Sequence, residues 1–173
     1  MFIRFFSILC AAALILIASP LSFAGSSAAA STKPASQTPS GFAVPRFVSL
    51  KYGSVNGRSG PGQDHSVKWS YKRRGMPVII IAETEMWRKV RDFDGDESWM
   101  HKRTLKGERM VITLKDVTLR AKPRKTAKGR AIAAKDSLLM LENCDDAGWC
   151  KVKAQTGHWG YAPMKTLWGA QAL

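Results

Sequence analysis

Two aromatic residues and a run of cations stand close together near the middle of the chain. Aromatic faces stack on extended peptides or sugars, and cations bind the carboxylates that such ligands carry. The residues are Trp69, Tyr71, Lys72, Arg73 and Arg74. We therefore predict that they form a groove for a peptide-like or anionic ligand. The open alternative is that the two rings pack between folded units.

Three further residues are candidates for the opposite wall of this groove, namely Phe93, Trp99 and His101. Trp99 is expected to be partly structural, because the aromatic Tyr161 occupies the matching place in the repeat described below.

Four acids near Phe93 have a spacing that suggests a calcium loop. They are Asp92, Asp94, Asp96 and Glu97. Acids at alternate positions suit calcium, but the turn glycine and the closing bidentate Glu are misplaced for an EF-hand-type site. We expect instead a solvated hairpin tip that pairs with Arg88 and Arg91.

Beyond this acidic turn, nothing in the sequence indicates a metal, and nothing indicates catalysis or a cofactor. His65, His101 and His158 are scattered along the chain, which gives a zinc site little support. No Gly-x-Ser-x-Gly elbow occurs for a serine nucleophile, and a cysteine nucleophile would need a free thiol. We therefore predict a protein that is not an enzyme and that has no cofactor and no metal site.

Cys144 and Cys150 flank an acidic turn that contains a glycine, between two short apolar runs. This pattern is typical of a β-hairpin. The two sulfurs would lie almost opposite each other, so in an oxidising compartment we predict a disulfide that staples the hairpin. Two free thiols are the alternative.

The first 24 residues have the pattern of a secretory signal peptide. Arg4 precedes an apolar run over residues 5–18, and small residues precede a cleavage site after Ala24. We predict that residues 1–24 are removed on export and that the protein is periplasmic or secreted; an uncleaved anchor is the alternative. Residues 25–45 are rich in Ser, Ala, Thr and Pro without a periodic apolar face, which predicts a disordered linker.

The chain is strongly basic, with 27 Lys and Arg against 13 Asp and Glu and a formal charge of +14. Removal of residues 1–24 takes out only Arg4, which leaves 26 basic residues against 13 acidic ones, or +13. An exported chain rarely meets nucleic acid, so nucleic acid is not expected as a partner. Carboxylate-bearing wall polymers, anionic lipid surfaces and acidic proteins are expected instead. Alternatively, the charge only keeps a small protein soluble.

The rest of the chain contains an internal repeat. A shift of 62 residues aligns ten identical residues among the 53 positions from 55 to 107. The aligned residues are Val55 with Val117, Arg58 with Arg120, Pro61 with Pro123, Trp87 with Trp149, Lys89 with Lys151, Val90 with Val152, Gly95 with Gly157, Thr104 with Thr166, Leu105 with Leu167 and Gly107 with Gly169. Duplication is the economical explanation, and it predicts two domains, at residues 46–108 and 109–173.

Each unit has the pattern of a small all-β fold. Residues 78–81 and 138–141 are apolar runs of strand length between loops rich in Gly, Pro and charge, and no amphipathic helical pattern is present. Short strands in units of this size predict a small closed β-barrel or a sandwich in each unit. Closure would also remove exposed strand edges.

The repeated residues also have predicted places in these barrels. We place Trp87 and Trp149 in the two cores, since large aromatic rings dominate small cores. We expect Arg58 and Arg120 to hold backbone carbonyl groups near a loop.

Several of these segments resemble the motifs of bacterial SH3-like (SH3b) domains. Val55-Asn56-Gly57-Arg58-Ser59-Gly60-Pro61 is similar to the opening Asn-x-Arg-x-Gly-Pro signature of that family. Trp87-Arg88-Lys89-Val90, followed by Gly95 and Ser98-Trp99-Met100-His101, is similar to its closing hairpin. Gly148-Trp149-Cys150-Lys151-Val152 stands at the matching place in the second unit.

The resemblance extends over residues 47–169 and is strongest to a group of exported tandem SH3-like proteins. It implies a five-stranded barrel in each unit and a role in recognising wall peptides or proteins. Gly57 stands where the family usually has an apolar strand residue, and the second unit reads Arg120-Ala121-Lys122-Pro123 without the Gly-Pro pair. If only one unit binds, the first is therefore the expected one.

The sequence thus predicts two tandem SH3-like β-barrels that follow a signal peptide and a linker. The predicted function is non-catalytic recognition of a peptide-like or anionic partner in the cell envelope, such as a cell-wall peptide or an envelope protein. A structural or regulatory protein–protein interaction module without a small ligand is the alternative, and attraction to anionic lipids is a third possibility.

Overall fold

The computed structural model describes residues 37–173, which form short β-strands and almost no helix. The first unit contains β1 (Arg46–Leu50), β2 (Val55–Arg58), β3 (Val67–Tyr71), β4 (Pro77–Glu83), β5 (Trp87–Arg91), β6 (Glu97–His101) and β7 (Leu105–Lys106). The second contains β8 (Met110–Thr113), β9 (Val117–Arg120), β10 (Gly129–Ala133), β11 (Leu138–Cys144), β12 (Trp149–Ala154), β13 (Trp159–Pro163) and β14 (Leu167–Trp168). Two 3-10 turns, Lys102–Thr104 and Met164–Thr166, precede β7 and β14.

The predicted signal peptide and residues 25–36 of the predicted linker lie outside the described residues. Within residues 37–173, no helix has the length and apolar character needed to cross a membrane.

The strands form two antiparallel sheets of the same topology. Their orders are β3-β2-β6-β5-β4-β1-β7 and β10-β9-β13-β12-β11-β8-β14. Each strand of the first sheet has as its counterpart in the second sheet the strand that comes seven strands later in the chain. This correspondence confirms the predicted tandem repeat.

The predicted closure into five-stranded barrels is wrong. Each sheet has seven strands, and in the described part of the chain its two end strands have one neighbour each. The edge strands of the first sheet are short and carry cations, Lys68 on β3 and Lys106 on β7. Short, charged edges already resist pairing with other chains, so closure is not required for that purpose.

Each unit has a hydrophobic core of its own. The first core is formed by Val44, Val48, Leu50, Val55, Tyr71, Val78, Ile80, Val90 and Met100. The second core is formed by Val111, Val117, Leu119, Ala133, Leu139, Cys150, Val152, Ala162, Leu167 and Ala170. Two separate cores agree with two domains rather than one intermingled fold.

The prediction that Trp87 and Trp149 fill these cores is wrong. Val90 and Val152 are fully buried, and each tryptophan stands three residues before one of them. Successive side chains of a strand point to opposite faces, so an odd spacing places the tryptophan on the outer face. Both tryptophans are accordingly only partly buried.

The predicted structural role of the two repeated arginines is confirmed. Arg58 Nη1 donates a hydrogen bond to the carbonyl oxygen of His65 at 2.7 Å. Arg120 Nη1 donates to the carbonyl oxygen of Ala127 at 2.8 Å. The same contact therefore holds the long loop after β2 and the one after β9.

The two cores differ by a compensated exchange of side chains. A Cβ atom on Gly57 would lie 2.3 Å from Ser98 Oγ and 3.0 Å from the Tyr71 ring. The matching residue of the second unit is Leu119, and there Gly160 replaces the serine and makes room, since a Cβ on Gly160 would lie 2.9 Å from that of Leu119. Gly57 thus departs from the family pattern because tyrosine and serine side chains fill the space beside it.

The hairpin of β4 and β5 is fastened differently from its counterpart, β11 and β12. Glu83 and Arg88 are cross-strand partners, and Arg88 Nε lies 3.0 Å from Glu83 Oε2. At the same place in the second unit, Cys144 and Cys150 are cross-strand partners joined by the predicted disulfide, which is confirmed. Arg88 was predicted to pair with the acidic hairpin tip, but it pairs with Glu83 instead. The turn between β11 and β12 is one residue longer than the turn between β4 and β5. The repeat offset is therefore 61 rather than 62 along β4.

Residues 37–45 lie against the first unit, although the sequence assigned them to the disordered linker. Val44 is buried in the first core. The backbone N–H of Ser40 donates to Glu83 Oε1 at 3.0 Å, and Arg46 Nη2 lies 2.7 Å from Glu83 Oε2. That part of the linker prediction is wrong, because composition does not register one anchoring valine and the two hydrogen bonds of one serine to a buried acid.

An aromatic cluster joins the two units. Trp168 of β14 packs edge-to-face on Phe47 of β1, with ring centroids 5.4 Å apart, and on Phe93 of the β5–β6 turn, at 5.6 Å. Arg109, in the connection between the units, lies over the Phe47 ring at 5.3 Å and donates to the carbonyl oxygen of Gly169 at 2.8 Å. These contacts hold both units in one compact body.

Candidate functional site

The predicted basic run lies at a cleft between the two units. Lys72, Arg73 and Arg74 follow the edge strand β3 and are exposed. Together with β10 and the β12–β13 turn of the second unit, they line a cleft of about 750 Å³, which we call the basic cleft. Among the residues that the structure describes, no Asp or Glu lines it. Its field therefore favours anions.

Two of the three cations are held in place without being neutralised. Arg73 Nη2 donates to the carbonyl oxygen of Asp136, across the junction, at 2.6 Å. Lys72 Nζ donates to Ser54 Oγ at 3.0 Å. Among residues 37–173, neither these two nor Arg74 forms an ion pair with a carboxylate. Their charge is available to a ligand.

A second and more apolar groove, of about 730 Å³, lies on the second unit. We call it the tryptophan groove. Its main lining residues are Leu114, Trp149, Pro163, Met164, Leu167 and Trp168, with Lys125 and Lys165 beside them. No acidic side chain lines this groove either, so an apolar floor is combined with cations.

The local structure explains how this groove forms. Trp149 faces outward for the reason given above, and its cross-strand partner is Pro163. The backbone N–H of Met164 then donates to the carbonyl oxygen of Gly148 at 2.8 Å, which starts the 3-10 turn beside the tryptophan. Trp168 also lines the groove and is held by the two phenylalanine rings of the first unit.

The tryptophan groove was not predicted from the sequence. Trp168 carried a usable signal, because it is an aromatic residue without an aromatic counterpart in the repeat: Lys106 matches it in the first unit. Pro163 and Met164 carried none, since neither residue type marks a site by itself.

The two predicted aromatic binding residues have different surroundings. Trp69 lies on the edge strand β3 and is 44% exposed, but it lines neither the cleft nor the groove. Tyr71 is buried in the first core, and its hydroxyl donates to Asp92 Oδ2 at 2.9 Å. Burial, with the nearby Asp92 carboxylate adding to it, raises the pKa of Tyr71 to about 12. The Tyr71 ring is therefore buried rather than exposed for the predicted stacking on a ligand.

The residues predicted for the opposite wall do not face the basic run. Phe93 packs on Trp168 at the junction. Trp99 is partly buried on the outer face of β6. His101 packs edge-to-face on Trp87, with ring centroids 5.4 Å apart. None of the three predicted residues lines the basic cleft.

The acidic hairpin tip is organised by its own backbone. Asp92 Oδ1 accepts hydrogen bonds from the backbone N–H groups of Asp94, at 3.1 Å, and Asp96, at 2.9 Å. Arg91 pairs with Glu97 at 2.7 Å, as predicted for that arginine. The carboxylate of Asp92 thus holds the turn and orients Tyr71.

The sequence model of the bacterial SH3 domain matches residues 51–107 and 115–169. NlpC2 from Trichomonas vaginalis is 12% identical, with a TM-score of 0.34, over 72% of this chain and 48% of that chain. NlpC1 from the same organism is 13% identical, with a TM-score of 0.33, over 72% of this chain and 45% of that one. The match spans about half of the length of each. No curated protein matches the sequence.

Proposed function

Because this chain belongs to the bacterial SH3 domain family, we propose that it is an exported, non-catalytic binding module that holds an extended, peptide-like partner of the cell envelope in the tryptophan groove. The observation that carries the proposal is an open groove of about 730 Å³ lined by two tryptophans and a proline. This volume is in the range of ligand sites, which run from about 300 to 1,000 Å³.

The lining suits an extended peptide. Trp149 and Trp168 offer broad apolar surfaces at a small entropic cost, because an indole has only two side-chain torsions. The second tryptophan is fixed by Phe47 and Phe93, so part of the groove is formed before any ligand arrives. A preformed groove loses less freedom on binding than a flexible one.

The charge around the groove indicates which peptide would bind. Lys125 and Lys165 line it and no acid does. Opposite charges at the rim of an interface raise the association rate of the two partners, and like charges disfavour wrong partners. The favoured partner is therefore a peptide-like segment with apolar groups for the floor and carboxylates near its ends, as in the peptides of cell-wall sacculi.

Retention on purified cell-wall sacculi tests this proposal. Trp149→Ala should lower the retained fraction, because it removes one side of the groove. The matched control is Trp159→Ala, which also removes a partly exposed tryptophan of the second unit but one that stacks under Arg130, at 3.6 Å, outside the groove. Equal retention of wild type and Trp149→Ala, with unchanged melting temperatures, would rule out the groove as the site.

A second candidate function is association with a protein partner or with a second copy of this chain, without a small ligand. It is favoured by two exposed apolar residues on edge strands, Trp69 on β3 (44% exposed) and Ile132 on β10 (75% exposed). Light scattering distinguishes the two functions: a concentration-dependent mass that a Trp69→Ser, Ile132→Ser variant abolishes, together with no retention on sacculi, would support the second.

A further inference from the structure

The basic cleft is separate from the tryptophan groove, since the two share no lining residue. Three consecutive cations face it, and none of them has a carboxylate partner among residues 37–173. Arg73 is held across the junction by the carbonyl of Asp136. An anion that enters the cleft would therefore meet guanidinium groups, of which at least one is already ordered.

The floor of the basic cleft is open because of two substitutions between the units. In the first unit, Tyr71 and Asp92 form a buried hydrogen-bonded pair. The matching residues of the second unit are Ala133 and Ala154, and both line the cleft. The second unit therefore has neither the phenol ring nor the carboxylate there, and the uncharged Leu119, the counterpart of Gly57, lines the cleft with the two alanines.

A free strand edge runs along the same cleft. β10 is the end strand of the second sheet, and residues 131–134 line the cleft. Backbone groups on an unpaired edge can bind an added peptide strand. The small side chains of Ala131 and Ala133 leave room for such a strand, and the apolar Leu138 and Leu139 lie beside it.

These features point to one class of ligand. A simple inorganic anion would use the cations but neither the apolar floor nor the strand edge. We propose that the basic cleft is a second binding site that takes the carboxyl-terminal end of a peptide with small side chains. The peptide lies along β10, and its terminal carboxylate is bound by Arg73 and Arg74 with Lys72 nearby. Two-point hydrogen bonding between guanidinium and carboxylate is the strong form of this interaction.

NMR titration of the full chain with the peptide acetyl-Ala-Ala-Ala tests the proposal. The peptide with a free carboxylate should bind at least tenfold more tightly than the same peptide with a terminal carboxamide, and it should shift the backbone amide signals of residues 131–134. Arg73→Gln, Arg74→Gln should remove this preference. The matched control is Lys122→Gln, Arg124→Gln, which removes the same charge from an exposed loop outside the cleft and should change nothing.

A second variant restores the carboxylate of the first unit. Ala154→Asp should weaken binding of the free-acid peptide at least tenfold, because it places a negative charge in the cleft. The new carboxylate can accept hydrogen bonds from the turn that follows it, as Asp92 does, so the variant is expected to fold. Thermal melting of each variant checks this point.

Three results would overturn the proposal. The first is equal affinity for the acid and the amide, and the second is undiminished binding by Ala154→Asp. The third is that inorganic phosphate binds as tightly as the acid while the signals of β10 do not move, which would leave a general anion site. Failure of the tryptophan groove is distinguishable, because Trp149→Ala should leave this titration unchanged.

Discussion

Replacing Glu83 by glutamine is the sharpest test of how the first unit is held together. The Glu83 side chain is 1% exposed, and its Oε2 atom lies 2.7 Å from Arg46 Nη2 and 3.0 Å from Arg88 Nε. Burial alone would raise the pKa of this carboxyl group, but hydrogen bonds from Ser40 and Arg46 outweigh it and lower the pKa to about 2. The carboxylate is thus more stable as an anion in the folded protein than in the unfolded chain.

The contribution of the Glu83 carboxylate to the free energy of unfolding follows from this pKa. The ordinary value is 4.5 and the folded value is about 2. Each pKa unit corresponds to about 1.4 kcal/mol, so the anion contributes about 3 kcal/mol to the free energy of unfolding. Because the folded pKa is the lower one, this contribution is fully present above pH 4.5 and is lost as the pH falls towards 2. Glu83→Gln should therefore cost about 3 kcal/mol at neutral pH and much less near pH 2.

Urea unfolding followed by tryptophan fluorescence measures the free energy of unfolding of wild type and variant at neutral pH and near pH 2. Glu97→Gln is the matched control, because Glu97 is also paired with two cations, Lys89 and Arg91, but lies at the surface. An exposed pair contributes about 1 kcal/mol or less. The reasoning is refuted if Glu83→Gln costs no more than Glu97→Gln at neutral pH, or if its cost is the same at both pH values.

Two further predictions concern the second hairpin and the first core. Replacing Cys144 and Cys150 by serine should lower the free energy of unfolding of the second unit by about 2 kcal/mol, because the disulfide closes a short loop; urea unfolding of wild type with and without reductant should show the same difference. Gly57→Ala should destabilise the first unit by about 1–3 kcal/mol through overpacking against Ser98. A Gly57→Ala, Ser98→Gly variant should recover part of that loss in thermal melts, and no recovery would mean that the clash lies elsewhere.

The outer tryptophans show where sequence reasoning failed although the information was present. Trp87 and Val90 are three residues apart, and an odd spacing on a strand cannot bury both on one face. The alternation along the strand outweighs the general preference of aromatic rings for cores. The tryptophan groove exists because Trp149 faces outward, next to its cross-strand partner Pro163.

The basic run shows a different kind of limit. Its three cations were predicted to act in a ligand site, and they do line a cleft, but the other side of that cleft is β10 of the second unit. Trp69, Phe93, Trp99 and His101, predicted to accompany the run, lie elsewhere. Neighbours in sequence stay close in space, whereas residues of another unit approach through contacts between the units, such as the packing of Trp168 on Phe47 and the hydrogen bond from Arg73 to the carbonyl oxygen of Asp136.

The sequence by itself determined the all-β class, the tandem repeat, the hairpin disulfide and the loop-holding arginines. These features depend on local alternation, on turn residues and on a constant offset, all of which can be read along one chain. Only the tertiary structure decided that the sheets stay open, that Glu83 anchors residues 40–46, and that both candidate sites involve the second unit. Those outcomes depend on which surfaces meet and how deeply each charge is buried, and such non-local contacts leave no periodic trace in the sequence.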